Sequence, residues 1–451
     1  MEIGRPEQQK AARMRRWFTI VILTVCYLLS VVDRQVIMLL IDPIRASLSL
    51  NDVEIALVTG FSFSLFYTIM GIPMGWLADR TNRRTLIAVG LLLWSLATAM
   101  SGLSRSIAQL FLSRTAVAVG EASLSPAAYS IITDSFEVHE RTRAGSVYFL
   151  GAALGPGLAL LVGGALLHLF TGIGAVNLSG FGALEPWQLV LLTLALPGVL
   201  WAVVVLLFVT EPQRQSEKIV PGLAPDKGEL GAALLLHRRL LFPFFGAVAL
   251  FSLFGNGLLS WSATFFARNH GWLLAEAGGR LGLAITVCGA AGAIFAGWLG
   301  GRGVKNERGG DAILKTILIL CVITVPLSVI ATLVSNAWLS LFLISIVIFA
   351  TIGVSSIAPI FVASLVAGSV RGRMVAIYLL VVGVVSVGGG PVVVSVFTEY
   401  VFGAPTALGK SIALLGLLSM PLTTFLVWRT LLAYRCEDAT RITSAAIPPS
   451  C

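Results

Sequence analysis

The stretch Gly75-Trp-Leu-Ala-Asp79-Arg80-Thr-Asn-Arg83-Arg84 lies between two long apolar segments of the chain. A degenerate copy, Gly297-Trp-Leu-Gly-Gly301-Arg302, follows about half a chain length later. Short basic loops between apolar segments are typical of membrane proteins, and a repeat at half length is typical of a duplicated one. This stretch therefore predicts a membrane protein built from two similar halves.

The composition indicates a chain that resides in a bilayer. Of 451 residues, 57% are hydrophobic and 12% are charged, and the mean hydropathy is +0.92. A membrane-spanning helix needs roughly 20 apolar residues, and about twelve such segments can be distinguished. They start near Trp17, Ile55, Leu86, Ile107, Ala144, Trp187, Leu240, Leu281, Ile313, Trp338, Val375 and Ala413. The predicted fold class is an all-α membrane protein of twelve transmembrane helices in two pseudo-symmetric six-helix halves.

The net charge of +9 reflects membrane topology rather than nucleic-acid binding. Lys and Arg residues are concentrated in alternate loops, as the positive-inside rule requires. We therefore expect a multi-pass protein of the plasma membrane or bacterial inner membrane with both termini in the cytoplasm. The predicted parts are a cytoplasmic N-terminal segment (1–16), an N-terminal six-helix half (17–209), a cytoplasmic linker (210–239), a C-terminal six-helix half (240–435) and a cytoplasmic tail (436–451).

Further matches between the halves support the duplication. Arg141-x-Arg143 with a tyrosine five residues on, Tyr148, corresponds to Arg371-x-Arg373 with Tyr378. Offsets near 220 to 230 residues recur at three separate places, which favours a repeat over chance. Two such halves around a central cavity are the architecture of secondary transporters that work by rocking.

The opening stretch carries its own chemistry. Gly75 and Ala78 are small enough to let helices approach closely. Asp79, at the cytoplasmic end of a helix, can accept hydrogen bonds from a neighbouring helix N-terminus or from an arginine. The motif resembles the signature loop between helices 2 and 3 of the major facilitator superfamily. That resemblance implies a conformational latch formed by Gly75, Asp79, Arg80, Arg83 and Arg84. Gly301 occupies the place of the acid in the second copy, so a symmetric second latch is not expected.

Four ionisable residues within predicted spans are candidates for function, since buried charge is costly in a membrane. Asp33 and Arg34 lie about 16 residues into helix 1, roughly eight from its outer end. In helix 4, Arg114 and Glu121 are seven positions apart and so share a face. Because adjacent residues on a helix do not face each other, we expect Asp33 to pair with Arg114 rather than with Arg34. One interpretation is an ion-pair network that only fixes helix packing. The other is a site for a proton and a substrate, with Asp33 and Glu121 as the proton carriers.

The same residues resemble those of a particular family. Helix 1 with Asp33-Arg34, the run Arg114-Thr-Ala-Val-Ala-Val-Gly-Glu121-Ala-Ser, and the loop from Asp79 to Arg84 are similar to the Spinster family of lipid transporters within the major facilitator superfamily. The likeness covers most of the N-terminal half. It implies rocker-switch transport of lysolipids or sphingoid phosphates, with the buried acids and arginines as transport residues.

The C-terminal half offers a contrasting surface. Its helices contain no deeply placed acid and present Asn256, Trp261 and Thr264 among many apolar residues as candidate cavity lining. A charged half facing an apolar one suits an amphiphile whose anionic head binds Arg34 or Arg114. The alternative is a proton-coupled symporter of small organic anions. A membrane-bound sensor or scaffold is a third possibility.

Other classes of function find little support in the sequence. The four histidines have no metal-ligand spacing, so no metal site is expected. No Ser, His and Asp grouping suggests a hydrolase, and the chain is not expected to be an enzyme. We expect no cofactor, with a proton as the coupling ion. The expected partners are a lipid-like substrate and bilayer lipids, with no nucleic acid, and the chain is expected to act as a monomer.

Overall fold

The computed structural model describes residues 5–178, 180, 182–214, 229–302, 309–366 and 368–445. Part of the predicted linker, residues 215–228, lies outside the described residues. The first four residues, Lys305 and Arg308 after the degenerate motif, and the end of the predicted tail from residue 446 also lie outside them.

The first part of the chain forms nine helices and a small hairpin. The helices are α1 (Arg5–Val36), α2 (Ile41–Leu48), α3 (Asp52–Ala56), α4 (Ser62–Arg80), α5 (Arg83–Gly102), α6 (Ile107–Glu121), α7 (Leu124–Ser135), α8 (Val138–Ile173) and α9 (Pro186–Phe208). A π-helical segment, Leu57–Phe61, joins α3 to α4, so that Asp52–Arg80 forms one span. The hairpin of β1 (Val176–Leu178) and β2 (Gly182–Leu184) precedes α9, and nothing in the sequence predicted it.

The second part of the chain contributes a further eight helices. They are α10 (Glu229–Leu236), α11 (Arg238–His270), α12 (Leu274–Arg302), α13 (Gly309–Leu333), α14 (Ala337–Leu365), α15 (Gly368–Gly383), α16 (Gly389–Val396) and α17 (Leu408–Ala445). Two π-helical segments, Val384–Gly388 and Phe397–Phe402, extend α15 and α16 into one long span.

The expected all-α membrane architecture is confirmed. In the described residues, 11 helices are long and apolar enough to cross a bilayer. The twelfth predicted span is split, because α6 and α7 are separated by a turn at Ala122–Ser123 and neither reaches spanning length alone. Helix 4 is therefore two shorter helices, and Glu121 is the last residue of the first.

Glycines set how closely the helices of the first part approach. A Cβ at Gly120 of α6 would lie 2.8 Å from the backbone nitrogen of Trp94 on α5. A Cβ at Gly151 of α8 would collide with the carbonyl oxygen of Thr24 on α1. Small residues at such crossings let backbones meet within a membrane. The helices that carry charged residues are thereby held close together.

The described chain forms two compact units. The first contains α1 to α9 and the second contains α13 to α17, with α11 and α12 divided between them. Within the first unit α1 packs on α8 and α5 packs on α9, and within the second α13 packs on α17. The boundaries proposed for the halves, linker and tail stay a prediction.

Candidate functional site

Helix α1 directs its polar residues to two different neighbours. Ser30 and Arg34 are four residues apart and so share a face, while Asp33 lies about 100° around the helix. Asp33 accepts a hydrogen bond from Thr98 on α5, and Ser30 and Arg34 both reach α6. Helix α1 ends at Val36, only three residues beyond Asp33. The predicted depth of about eight residues below the helix end was therefore wrong.

Glu121 is the centre of the contact between α1 and α6. Its Oε2 accepts hydrogen bonds from Ser30 Oγ and from Arg34 Nη2, each at 2.7 Å. The Glu121 side chain has no exposed surface, while that of Arg34 is 22% exposed. A carboxylate at a helix C-terminus faces the negative end of the helix dipole. The two donors from α1 offset that repulsion and give the carboxylate a charge-assisted partner.

The expected pair of Asp33 and Arg114 forms no direct salt bridge in the described chain, although the two charges interact electrostatically. Arg34 forms the ion pair, and its partner is Glu121. Among the described residues Asp33 makes no ion pair, and its Oδ1 has no hydrogen-bond partner although it is buried. Asp33 and Arg34 do point to different neighbours, as expected for adjacent residues on a helix. That rule does not say which of the two residues points towards α6.

Arg114 is the most unusual residue of the site. It has no exposed surface, and none of its three guanidinium nitrogens has a hydrogen-bond partner within the described chain. Its guanidinium carbon lies 5.4 Å from the centre of the Phe63 ring. A buried arginine normally has its donors satisfied. The free donors are therefore suited to an anion or to ordered water.

Two aromatic residues of the site were missed by the sequence reasoning. The Arg34 guanidinium carbon lies 4.6 Å from the ring centre of Phe63 and 4.8 Å from that of Tyr67, both on α4. Such cation–π contacts favour arginine at a partly dry site. Ser30 and Thr98 were missed as well. Ser30 could have been found, since it lies one helical turn before Arg34.

In the opening motif, Arg83 binds residues of its own unit. It is 1% exposed and donates to Glu211 Oε1 at 2.7 Å, to Ser130 Oγ at 2.8 Å and to the carbonyl of Pro212 at 2.8 Å. It also forms an ion pair with Asp134. The backbone nitrogen of Arg84 donates to Glu211 as well. Arg83 thus ties the start of α5 to α7 and to the chain that follows α9.

The other latch candidates are more open. Asp79 is exposed and has no ion pair or hydrogen bond within the part of the chain that the structure describes. Arg80 stacks on Trp76, with its guanidinium carbon 4.3 Å from the ring centre. A Cβ at Gly75 would meet no described atom within 4 Å, whereas Ala78 is buried. The close approach expected at Gly75 is therefore absent in this conformation, and the latch stays a prediction.

The three candidates on α11 differ in exposure. Trp261 and Thr264 have no exposed surface. Asn256 is half-buried and donates to the carbonyl of Ser252. Their role as cavity lining stays a prediction. No group of His, Cys, Asp or Glu residues that could hold a metal ion occurs within the described ranges.

Comparison with known proteins places these features in a family. Residues 23–391 match the Major Facilitator Superfamily. An "MFS-type efflux pump" of Mycolicibacterium smegmatis is 30% identical over 406 residues, which is 89% of this chain and 89% of that protein. A "Probable galactarate/D-glucarate transporter GudP" of Bacillus subtilis is 25% identical over 364 residues, covering 74% of this chain and 75% of that protein.

A solved structure extends the likeness over almost the whole chain. It is that of a bacterial homologue of the human lysosomal transporter Spinster, in an inward-facing and unoccupied conformation. The TM-score is 0.78 at 26% sequence identity, and the alignment covers 93% of this chain and 97% of the other.

Proposed function

We propose a proton-coupled transport function for this chain, which belongs to the major facilitator superfamily. It is a Spinster-like transporter of that superfamily, a multi-pass membrane protein and not an enzyme. The substrate class and the coupling ion are the proposed part. We infer that the chain moves an amphiphilic, lipid-like anion, a lysolipid or sphingoid phosphate, by rocking its two halves.

The single observation that carries the proposal is the unpartnered guanidinium of Arg114. Burying a charged group without hydrogen bonds is costly, so an anionic ligand that supplies acceptors would be bound favourably there. Arginine binds carboxylate and phosphate with paired, directional donors. Arg34 lies beside the same ring of Phe63 and provides a second cation once Glu121 releases it.

Charge balance supports proton coupling. The site combines two arginines, Arg34 and Arg114, with two carboxylates, Asp33 and Glu121, so the formal charges cancel. An entering anion would leave a net negative charge in a buried place, which is unfavourable. A proton taken up by Asp33 or Glu121 restores neutrality. Proton and anion therefore bind together more favourably than either alone, which is the condition for coupled transport.

The amphiphile is favoured by the contrast between the two parts of the chain. The buried charges lie in the first unit, while the described helices of the second part bury only apolar, Ser and Thr residues together with one histidine. An amphiphile, with a polar head and an apolar tail, combines the same two chemistries. The alternative, symport of small organic anions, draws support from the relative named as a galactarate/D-glucarate transporter.

The remaining assignments follow from this function. We propose Asp33 and Glu121 as proton carriers, Arg34 and Arg114 as anion-binding residues, and the Gly75–Arg84 motif as a cytoplasmic latch. The membrane would be the plasma or bacterial inner membrane, with both termini cytoplasmic. The proton is the only coupling ion proposed, and the working unit is a monomer with bilayer lipids around it.

Ligand stabilisation of the purified protein separates the two substrate classes. We expect lysophosphatidate to raise the melting temperature in detergent and glucarate to leave it unchanged. The Arg114→Gln variant should lose that stabilisation, while Arg105→Gln, an arginine between α5 and α6, should keep it. Stabilisation by glucarate alone would favour the small-anion symporter. Equal stabilisation of wild type and Arg114→Gln would remove Arg114 from the site.

A further inference from the structure

A small void lies beside Asp33, between α1, α5 and α9. Ser95 and Thr98 of α5 line it with Asp33, and Trp94, Gly198 and apolar side chains complete the wall. Its volume, measured as the space open to the centre of a water molecule, is about 10 Å³. A single water molecule needs roughly 10–15 Å³ by that measure. The void is therefore of one-water size.

One polar atom at this void lacks a hydrogen-bond partner, and a second polar side chain lies beside it. Asp33 Oδ1 is buried without a hydrogen bond, although Oδ2 accepts one from Thr98 Oγ1. The Ser95 side chain is also buried and lines the void. Buried polar groups are nearly always satisfied by protein or by ordered water. An unsatisfied carboxylate oxygen and the Ser95 side chain on one small cavity fit a water between them.

Gly198 of α9 keeps the space open. A Cβ at this position would collide with Ser95 Oγ and would lie 3.2 Å from Ser95 Cβ. Any larger residue would push the serine hydroxyl towards the void. The absence of a side chain at Gly198 thus preserves both the hydroxyl and the cavity.

We propose that the void holds one ordered water, which donates to Asp33 Oδ1 and is oriented by Ser95 Oγ. This water hydrates the Asp33 carboxylate from the side of α5 and α9. Ser95 is then a positioning residue that acts on Asp33 through the water. The inference rests on the proposed function only where it assigns a proton to Asp33. Its consequence for transport is that Asp33 can hold its charge without an arginine bonded to it.

A thermal-stability cycle tests the shared water without any transport measurement. Ser95→Ala is made in the wild type and in the Asp33→Leu variant, whose apolar side chain is close to aspartate in shape but lacks the carboxylate. With a bridging water, Ser95→Ala lowers the melting temperature of the wild type by on the order of 2 °C and has no such effect in the Asp33→Leu background. Removal of an isolated, unpaired hydroxyl would instead be neutral or stabilising in both backgrounds.

The matched control is Ser101→Ala, on the same helix. Ser101 is also buried, but it donates to the carbonyl of Ala97 and bonds Ser113 at 2.9 Å, away from the void. Its effect on melting temperature should be the same with Asp33 and with Asp33→Leu. Equal effects of Ser95→Ala in the two backgrounds, like those of the control, would overturn the proposal.

Infrared spectroscopy gives a second readout if Asp33→Leu does not fold. The C=O stretching band of protonated Asp33 is identified by its loss in Asp33→Asn. In Ser95→Ala this band should move to higher frequency, because the carbonyl loses a hydrogen bond, and it should not move in Ser101→Ala. An unchanged band in Ser95→Ala would contradict the water site. A separate result would contradict the proposed function: proton-coupled transport in liposomes that persists in the Asp33→Asn variant.

Discussion

The two parts of the chain repeat one helical plan but treat buried charge in opposite ways. Among its described residues, the first part buries five acidic or basic ones, which are Asp33, Asp52, Arg83, Arg114 and Glu121. Over the described residues from α11 onward, no Asp, Glu, Lys or Arg is buried. The difference teaches that the same helix pairing, α5 on α9 and α13 on α17, occurs with buried charge in one part and without it in the other.

The ends of corresponding helices sharpen this comparison. At the start of α5, Arg83 pairs with Glu211, beyond the end of α9. In the second part, Asp311 near the start of α13 pairs with Arg435 on α17, near the end of the span Pro405–Glu437, at 2.6 Å. The contact is kept with its charges reversed. Its burial differs too, since the Arg83 side chain is 1% exposed and that of Arg435 is 48% exposed.

Arg83→Ala should have the largest effect on stability. It leaves Asp134 and Glu211 without their shared cation, and breaking a buried pair costs about 3 kcal/mol or more. Arg83→Lys should restore only part of this, because an ammonium cannot replace the fork of donors. Melting temperatures in detergent measure both. If Arg83→Ala lowered the melting temperature no more than Arg435→Ala does, the expected difference between the two parts would be contradicted.

Glu121→Gln should have the next largest effect. The neutral amide cannot take up the proton that Glu121 is proposed to carry, and so proton-driven uptake should fall by about tenfold or more. Glu399→Gln is the matched change in the second part, at a partly exposed position, and should leave uptake within about twofold of the wild type. Uptake into liposomes under an imposed pH gradient measures both. Similar losses would show that function does not depend on the first part alone.

Gly120→Ala should destabilise the protein by about 1–3 kcal/mol, since the added methyl group is forced against the Trp94 backbone. The control is Gly372→Ala on α15, where a Cβ meets no described atom within 4 Å. That change should be neutral or slightly stabilising, because alanine has the higher helix propensity. Chemical denaturation in mixed micelles compares the two. Equal effects would mean that α5 and α6 are not in close backbone contact.

Arg435→Ala should have the smallest effect, below about 1 kcal/mol, because the pair with Asp311 is exposed and screened. The difference from wild type should shrink further in high salt. Melting temperatures at low and high ionic strength test this. A large loss of melting temperature that does not depend on salt would show that this pair stabilises the protein as strongly as the contacts of Arg83 do.

Much of the fold could be predicted from the sequence, because apolar length and the distribution of Lys and Arg follow directly from the bilayer. The break in helix 4 could not, since Ala122 and Ser123 carry no strong turn signal. The hairpin before α9 could not either, because its strands are only three residues long. Such short segments have no clear periodicity.

The burial of the four candidate residues could be predicted, but their pairing could not. The cost of charge in a membrane marked Asp33, Arg34, Arg114 and Glu121 correctly as buried or half-buried residues. Which carboxylate meets which arginine depends on the rotation of α1 about its axis. Sequence periodicity fixes relative faces within a helix and not that rotation. The aromatic rings of Phe63 and Tyr67 were lost among many apolar residues of similar pattern.

The most direct test of the central claim, that charges buried in the first part couple protons to an anionic substrate, is proton flux driven by substrate. Liposomes containing the protein and an internal pH-sensitive dye receive external lysophosphatidate with no initial pH gradient. The account predicts that the lumen acidifies with wild-type protein and does not with Glu121→Gln, while Glu399→Gln behaves as wild type. Acidification that persists unchanged in Glu121→Gln and Asp33→Asn would contradict it.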